Sequence, residues 1–118
     1  MSDSDHKDKK YVAKLHVDMV FIGSQDLPGH ELHVVTHSIS MEGITILSNY
    51  NLQKNQEMHL RLHIPATHAG HAEKYVIMRG KVNYTIYDSS AEEFRTYIRI
   101  LSFNDPESKI LLSQKMME

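Results

Sequence analysis

Cysteine is absent from this chain of 118 residues. Disulfides, thiolate nucleophiles and cysteine-ligated zinc are therefore excluded, and the composition fits a reducing compartment. No apolar run approaches the ~20 residues that span a bilayer, and residues 1–10 are too polar to form a secretion signal. We therefore expect a cytoplasmic protein with no membrane partner.

An excess of positive charge is also missing. The chain has 13 Lys and Arg against 15 Asp and Glu, a formal net charge of −2. Proteins that bind a nucleic-acid backbone normally carry a clear basic excess, so no DNA partner is expected. With 118 residues, 41% of them hydrophobic, the chain has room for one domain around one core.

Motifs of catalysis are missing as well. The sequence contains no G-x-S-x-G elbow, P-loop, G-x-G-x-x-G or H-E-x-x-H. We therefore expect no catalytic residue, no cofactor and no enzymatic activity. Any anionic ligand must be held by a few specifically positioned side chains.

The most unusual feature of the composition is the presence of nine histidines. Pairs such as His33 and His37, or His59 and His63, share a face if their strands are regular. Imidazole is a common metal ligand, so a histidine-based metal site is one hypothesis. We favour the interpretation that these are ordinary residues on the solvent face of strands, and we expect no metal.

Hydrophobic residues alternate with polar ones along most of the chain, which is the pattern of half-buried strands. Six strands are predicted, near residues 15–22, 31–37, 44–47, 59–64, 75–87 and 94–103. Gly80 lies within the longest of them and indicates a bulge or bend. A sheet of this size closes on itself to hide its edges, so the fold class is all-β, a small barrel or sandwich.

A helix is predicted at the C-terminus. Asn104 or Asp105 is suited to cap it, Pro106 to its first turn and Glu107 to the positive end of its dipole. Its docking face is predicted to comprise Ile110, Leu111, Gln114 and Met117.

The segment between the second and third predicted strands carries the motif of greatest interest. It contains Ser38, Ser40 and Gly43, two hydroxyl residues and a glycine that can adopt a positive φ. Upstream, Lys10 and Lys14 place two cations four residues apart, just before the first strand. For these five residues the alternatives are a plain turn and a solvated strand edge.

In these residues the chain resembles the PilZ family, receptors for the bacterial second messenger cyclic di-GMP. That family has R-x-x-x-R before its first barrel strand and [D/N]-x-S-x-x-G after its second. Ser40 and Gly43 match the second motif, and Ser38 stands in place of Asp or Asn. Lys10 and Lys14 resemble the two arginines. The resemblance implies a six-stranded antiparallel β-barrel with a C-terminal α-helix over residues 10–118, behind a flexible arm of residues 1–9.

The resemblance also implies a ligand and a role. Cyclic di-GMP would bind at Lys10, Lys14, Ser38, Ser40 and Gly43, and the protein, a monomer or homodimer, would relay the signal to a protein effector. Lysine lacks the planar fork with which arginine grips phosphate, so directional recognition is weakened. The alternative is a degenerate adaptor that binds no nucleotide and acts by protein–protein interaction in motility, pilus or biofilm systems.

Overall fold

The computed structural model of this protein describes residues 11–23, 31–66 and 72–117. The predicted arm, residues 1–9, and Lys10 lie outside these ranges. The elements in chain order are β1 (Tyr11–Val12), β2 (His16–Ile22), β3 (Glu31–Ile39), β4 (Gly43–Ser48), β5 (Glu57–Ile64), β6 (Lys74–Asp88), β7 (Glu93–Phe103) and α1 (Pro106–Met116).

Six of the strands form a closed antiparallel barrel. Their order around the sheet is β3-β2-β5-β6-β7-β4, and pairing of β3 with β4 closes the ring. The two residues of β1 add to β3, with Val12 opposite Ser38. This closed barrel confirms the predicted fold class. Closure pairs the strand edges that an open sheet of this size would expose.

The barrel interior is filled by one side of each strand, as the alternation predicted. On β2, Val17 and Met19 are completely buried, and on β5 Leu60 and Leu62 take the equivalent positions. Three register shifts interrupt the ladders of the described residues: one between Thr36 and Ser38 on β3, and two in the pairing of β6 with β7, beside Gly80 and between Val82 and Tyr84. Gly80 is also packed tightly, since a Cβ there would lie 2.6 Å from the side chain of Ile98.

The C-terminal helix begins as predicted, and its docking face agrees with the prediction only in part. Asp105 is the N-cap, its Oδ1 accepting from the backbone N of Ser108 at 2.7 Å. Leu112 is completely buried, and Leu111 packs against the core as predicted. Ile110, Gln114 and Met117 are exposed, so this part of the predicted docking face was wrong. The Ser108 hydroxyl accepts from the backbone N of Ile77 at 2.9 Å and so ties the helix to β6. Within the described ranges, no helix has the length and apolar character to cross a membrane.

Asp105→Ala tests the importance of this cap. We expect the free energy of unfolding to fall by about 1 kcal/mol, since the first helical turn loses the acceptor for the Ser108 amide. Thermal unfolding followed by circular dichroism measures the change. Lys109→Ala, at an exposed position of the same helix, is the control. Equal unfolding midpoints for Asp105→Ala and wild type would show that the cap contributes nothing.

Candidate functional site

The turn between β3 and β4 is built around the side chain of Ser40. Its hydroxyl donates to the carbonyl of Gly43 at 3.0 Å and accepts from the backbone N of Gly43 at 3.0 Å and of Glu42 at 3.3 Å. The backbone N of Ser40 donates to the same Gly43 carbonyl at 2.9 Å. Ser40 is therefore occupied within its own turn, and its role is to hold the shape of the turn.

Gly43 is required for space, and the sequence argument from a positive φ was wrong. Gly23 is the one described glycine with a positive φ. A Cβ on Gly43 would lie 2.5 Å from the carbonyl oxygen of Ile98 and 2.6 Å from the hydroxyl of Tyr97. The glycine therefore lets β4 lie close to β7, with Tyr97 over the position that a side chain would fill.

Ser38 was predicted to lie in a loop, but it belongs to β3. The bulge after Thr36 reverses the alternation, so Ile39 points into the core and Ser38 to the outer face of the barrel. Its neighbours across the sheet are Val12 and Thr45, and it is 8% exposed. Little of this residue is open to a ligand on the outer face.

Lys14 is exposed in the connection between β1 and β2. This connection is tied to β3 by Thr36, whose hydroxyl donates to the carbonyl of Ala13 at 2.5 Å and accepts from the backbone N of Leu15 at 3.0 Å. The structure therefore places the segment with Lys14 alongside the strand that carries Ser38. Lys10, the other predicted cation, lies outside the described residues.

The outer face beside the turn carries residues that the sequence argument did not select. Opposite Gly43 on β7 stands Arg99, and opposite Thr45 stands Tyr97. Tyr97 stacks on Tyr84 of β6 with ring centroids 5.6 Å apart. Which residues face the motif depends on the pairing of β4 with β7, over 50 positions later in the chain, and no local pattern reveals it.

A second polar group, also missed by the sequence argument, surrounds Asp18 on the outer face of β2. The Asp18 carboxylate accepts from Arg61 Nε at 3.1 Å and Nη2 at 2.7 Å, from His63 Nε2 at 2.9 Å and from His33 Nδ1 at 2.5 Å. The side chain of Asp18 is only 11% exposed. Since His63 Nδ1 also faces Glu73 Oε1 at 2.8 Å, both its ring nitrogens donate to carboxylates, the arrangement of an imidazolium.

These contacts shift two pKa values in opposite directions. The hydrogen bond from His63, followed by those from Arg61 and His33, outweighs burial and holds the pKa of Asp18 well below its usual range. The bonds that His63 makes to Asp18 and Glu73 outweigh its burial and raise the pKa of His63. Asp18 and His63 therefore stabilise each other's charged forms.

Asp18, Glu31 and His33 also bring donor atoms within 4.8 Å of one another, a spacing open to a metal ion. However, the guanidinium of Arg61 is bound to the same Asp18 carboxylate. A cation on this carboxylate would have to overcome the repulsion of Arg61. We therefore interpret the group as an ion-pair network. Asp18 could have been noticed in the sequence, because it is a charged residue between the core residues Val17 and Met19. Its partners could not, because they depend on strand register.

No family model matches the sequence, and no curated protein matches it. Among the solved structures that are similar in fold are the two that follow. The Bacillus subtilis inhibitor of motility (MotI/DgrA) matches with a TM-score of 0.71 and 15% identity, over 92% of this chain and 48% of that one. The Borreliella burgdorferi PlzA protein in complex with c-di-GMP matches with a TM-score of 0.50 and 16% identity, over 96% and 53%.

The chain thus spans about half the length of each of these proteins. At 15% and 16% identity, the likeness establishes the fold alone. It agrees with the closed six-stranded barrel and the C-terminal helix described above. This chain therefore has the fold of PilZ domains, as the resemblance of its sequence implied.

Proposed function

We propose that this protein is a cytoplasmic PilZ-like signalling protein that binds cyclic di-GMP and relays the signal to a partner protein. The observation that carries the proposal is the turn from Ser40 to Gly43, which lies at the end of β3 in a barrel of the PilZ fold. PlzA, which shares this fold, was solved in complex with the same nucleotide. Binding and relay need no covalent chemistry, in agreement with the absence of catalytic motifs.

The geometry divides the predicted site residues into two groups. Ser40 and Gly43 shape the surface, since the hydroxyl of one is used within the turn and the other lies under Tyr97. Direct contact with the ligand falls mainly to the cations Lys10 and Lys14, and Ser38 would reach the ligand only through the 8% of its surface that is exposed. A serine hydroxyl and two lysines provide fewer directional hydrogen bonds than Asp and two arginines, so we expect a modest affinity.

The relay follows from where the cations lie in the chain. Lys14 is in the segment that precedes β2 and is tied to β3, close to the proposed ligand. A phosphate bound by Lys10 and Lys14 would hold the arm that precedes β1 over the ligand and change the surface that a partner meets. Ordering of a segment by a charged ligand is a common form of switch.

The second candidate function is an adaptor of the same fold that binds no nucleotide. It is favoured by the exposed side chains at the end of β6, where Tyr84 is 42%, Ile86 53% and Tyr87 58% exposed. Neighbouring exposed apolar residues of this size are typical of protein-binding surfaces. The Ser40 side chain is also fully hydrogen-bonded within its own turn, without a ligand.

Calorimetric titration with cyclic di-GMP separates the two functions, and Ser38→Asn sharpens the test. We expect wild type to bind saturably and Ser38→Asn to bind about tenfold more tightly. An asparagine amide offers a donor and an acceptor to a guanine edge, whereas a serine offers one hydroxyl. Ser102→Asn is the matched control, because Ser102 is an exposed strand serine on β7.

Absence of heat and of a ligand-induced thermal shift in both wild type and Ser38→Asn would reject the receptor and favour the adaptor. Ser40→Ala is a poor test of binding. It leaves the backbone N of Gly43 without its acceptor in a buried turn, so it would lower stability and affinity together.

A further inference from the structure

A small polar cavity lies on the outer face of the barrel, one strand away from the turn at Gly43. Its volume is about 150 Å³. The lining residues are Asn55, Lys81, Val82, Asn83, Arg99 and Leu101. One wall is fixed, since the backbone N of Asn55 donates to the carbonyl of Val82 at 2.8 Å and Val82 N donates to Gln56 O at 2.8 Å. We call this the β6–β7 pocket.

The pocket is lined by two cations, Lys81 of β6 and Arg99 of β7. Lys81 and Arg99 stand directly opposite each other across β6 and β7. Within residues 11–23, 31–66 and 72–117, neither forms an ion pair with a carboxylate. The acid opposite Lys81 on β5 is Glu57, and its Oε1 already accepts from Arg79 at 2.6 and 3.0 Å.

Like charges opposite each other in a sheet are destabilising. Lys81 and Arg99 therefore repel each other in the ligand-free protein, and an anion between them would convert that repulsion into attraction. Asn55 and Asn83 add amide groups to the same walls. Arginine and lysine together, with amides beside them, are suited to a phosphate.

The position of the pocket connects it to the proposed nucleotide site. Gly43, Arg99 and Lys81 follow one another across β4, β7 and β6. Two strand spacings, about 10 Å, thus separate the turn from Lys81. In the adjacent row of the same two strands, Tyr97 stacks on Tyr84, and the exposed side of Tyr84 offers a base an aromatic surface.

We infer that the β6–β7 pocket binds a phosphate of the cyclic dinucleotide, with Arg99 and Lys81 as its ligands. This inference rests on the proposed function. It moves part of phosphate recognition from the segment before the barrel to the barrel wall. Arg99 would supply the planar guanidinium that Lys10 and Lys14 lack.

Titration of the full chain with cyclic di-GMP, comparing wild type with Arg99→Gln and Lys81→Gln, tests the inference. We expect each variant to weaken binding by about tenfold or more. Lys54→Gln is the control: it removes the same charge one residue from Asn55, and its side chain does not line the pocket. Its affinity should stay within about twofold of wild type, since an exposed charge outside the site acts only through screened attraction.

Thermal unfolding without ligand excludes damage to the fold as the cause. Arg99→Gln should unfold at the same temperature as wild type or higher, because the repulsion from Lys81 is removed. If wild type binds and both pocket variants bind equally well, the inference is overturned and the receptor function stands. If wild type does not bind at all, the proposed function fails and the inference fails with it.

Discussion

Gly43→Ala is expected to lower the free energy of unfolding by about 2 kcal/mol, near the middle of the range for added volume in a packed site. The new methyl would lie 2.5 Å from the carbonyl oxygen of Ile98 and 2.6 Å from the hydroxyl of Tyr97. Tyr97 can rotate away only by leaving its stack on Tyr84, and the carbonyl is backbone in the centre of β7. Unfolding in urea, followed by tyrosine fluorescence, measures the change.

Glu42→Ala is the matched control for this experiment. Glu42 is exposed in the same turn, and its hydrogen bonds there are made by its backbone N and carbonyl. Its replacement should leave stability within about 0.5 kcal/mol of wild type. If Gly43→Ala were as stable as Glu42→Ala, β4 and β7 would not approach as closely as the structure shows, and the glycine would have no packing role.

Asp18→Asn is the second substitution with a large expected effect, about 2 kcal/mol near pH 5, because hydrogen bonds to charged groups are among the stronger ones. The carboxylate accepts from Arg61, His63 and His33. An asparagine keeps one acceptor oxygen and turns an amide donor toward these donors. The loss is moderated by water, since the side chain of Arg61 is 51% exposed.

The pH dependence of this difference follows from the two pKa shifts. The pKa of Asp18 is lowered from 3.8, so its contribution is present above that value and is lost as the pH falls toward the native pKa. The pKa of His63 is raised from 6.5, so its contribution is complete below 6.5 and is lost as the pH rises through the native pKa. The difference between wild type and Asp18→Asn should therefore be largest between about pH 4 and 6.5.

Urea unfolding from pH 3 to 9 measures this profile, since urea carries no charge that would screen the cluster. His63→Gln should retain the acid part of the profile and lose the part above pH 6.5. Glu42→Gln, which removes an exposed carboxylate away from the cluster, should follow wild type throughout. A constant difference between wild type and Asp18→Asn across the whole range would contradict the assigned ion pairs.

The fold was predictable because its signal is local and repeated. Alternating core residues such as Val17, Met19, Leu60 and Leu62 specify strands wherever they occur, and one buried face is enough to fix each strand's orientation. Asp105 before Pro106 specifies the start of the helix through short-range hydrogen bonds. The docking face of that helix was predicted correctly only at Leu111, since the rest depends on where the barrel surface meets Leu112.

The site was predictable only in part. The spacing of Ser40 and Gly43 is a local motif, and the turn it forms is confirmed as a structure. Whether these residues, Ser38 and the lysines bind cyclic di-GMP remains the prediction that calorimetry tests. The reason for the glycine was misjudged, because the close approach of Ile98 and Tyr97 arises between strands distant in sequence.

By itself, the sequence determined an all-β domain without cysteine, a capped C-terminal helix and a serine–glycine turn. Those features depend on composition and on interactions within a few residues. The tertiary structure alone decided that Arg99 stands beside Gly43, that Lys81 faces Arg99, and that His63 meets Asp18. Each of these contacts is set by strand register, and register is the product of the whole barrel, because a shift of one residue would turn every core side chain outward.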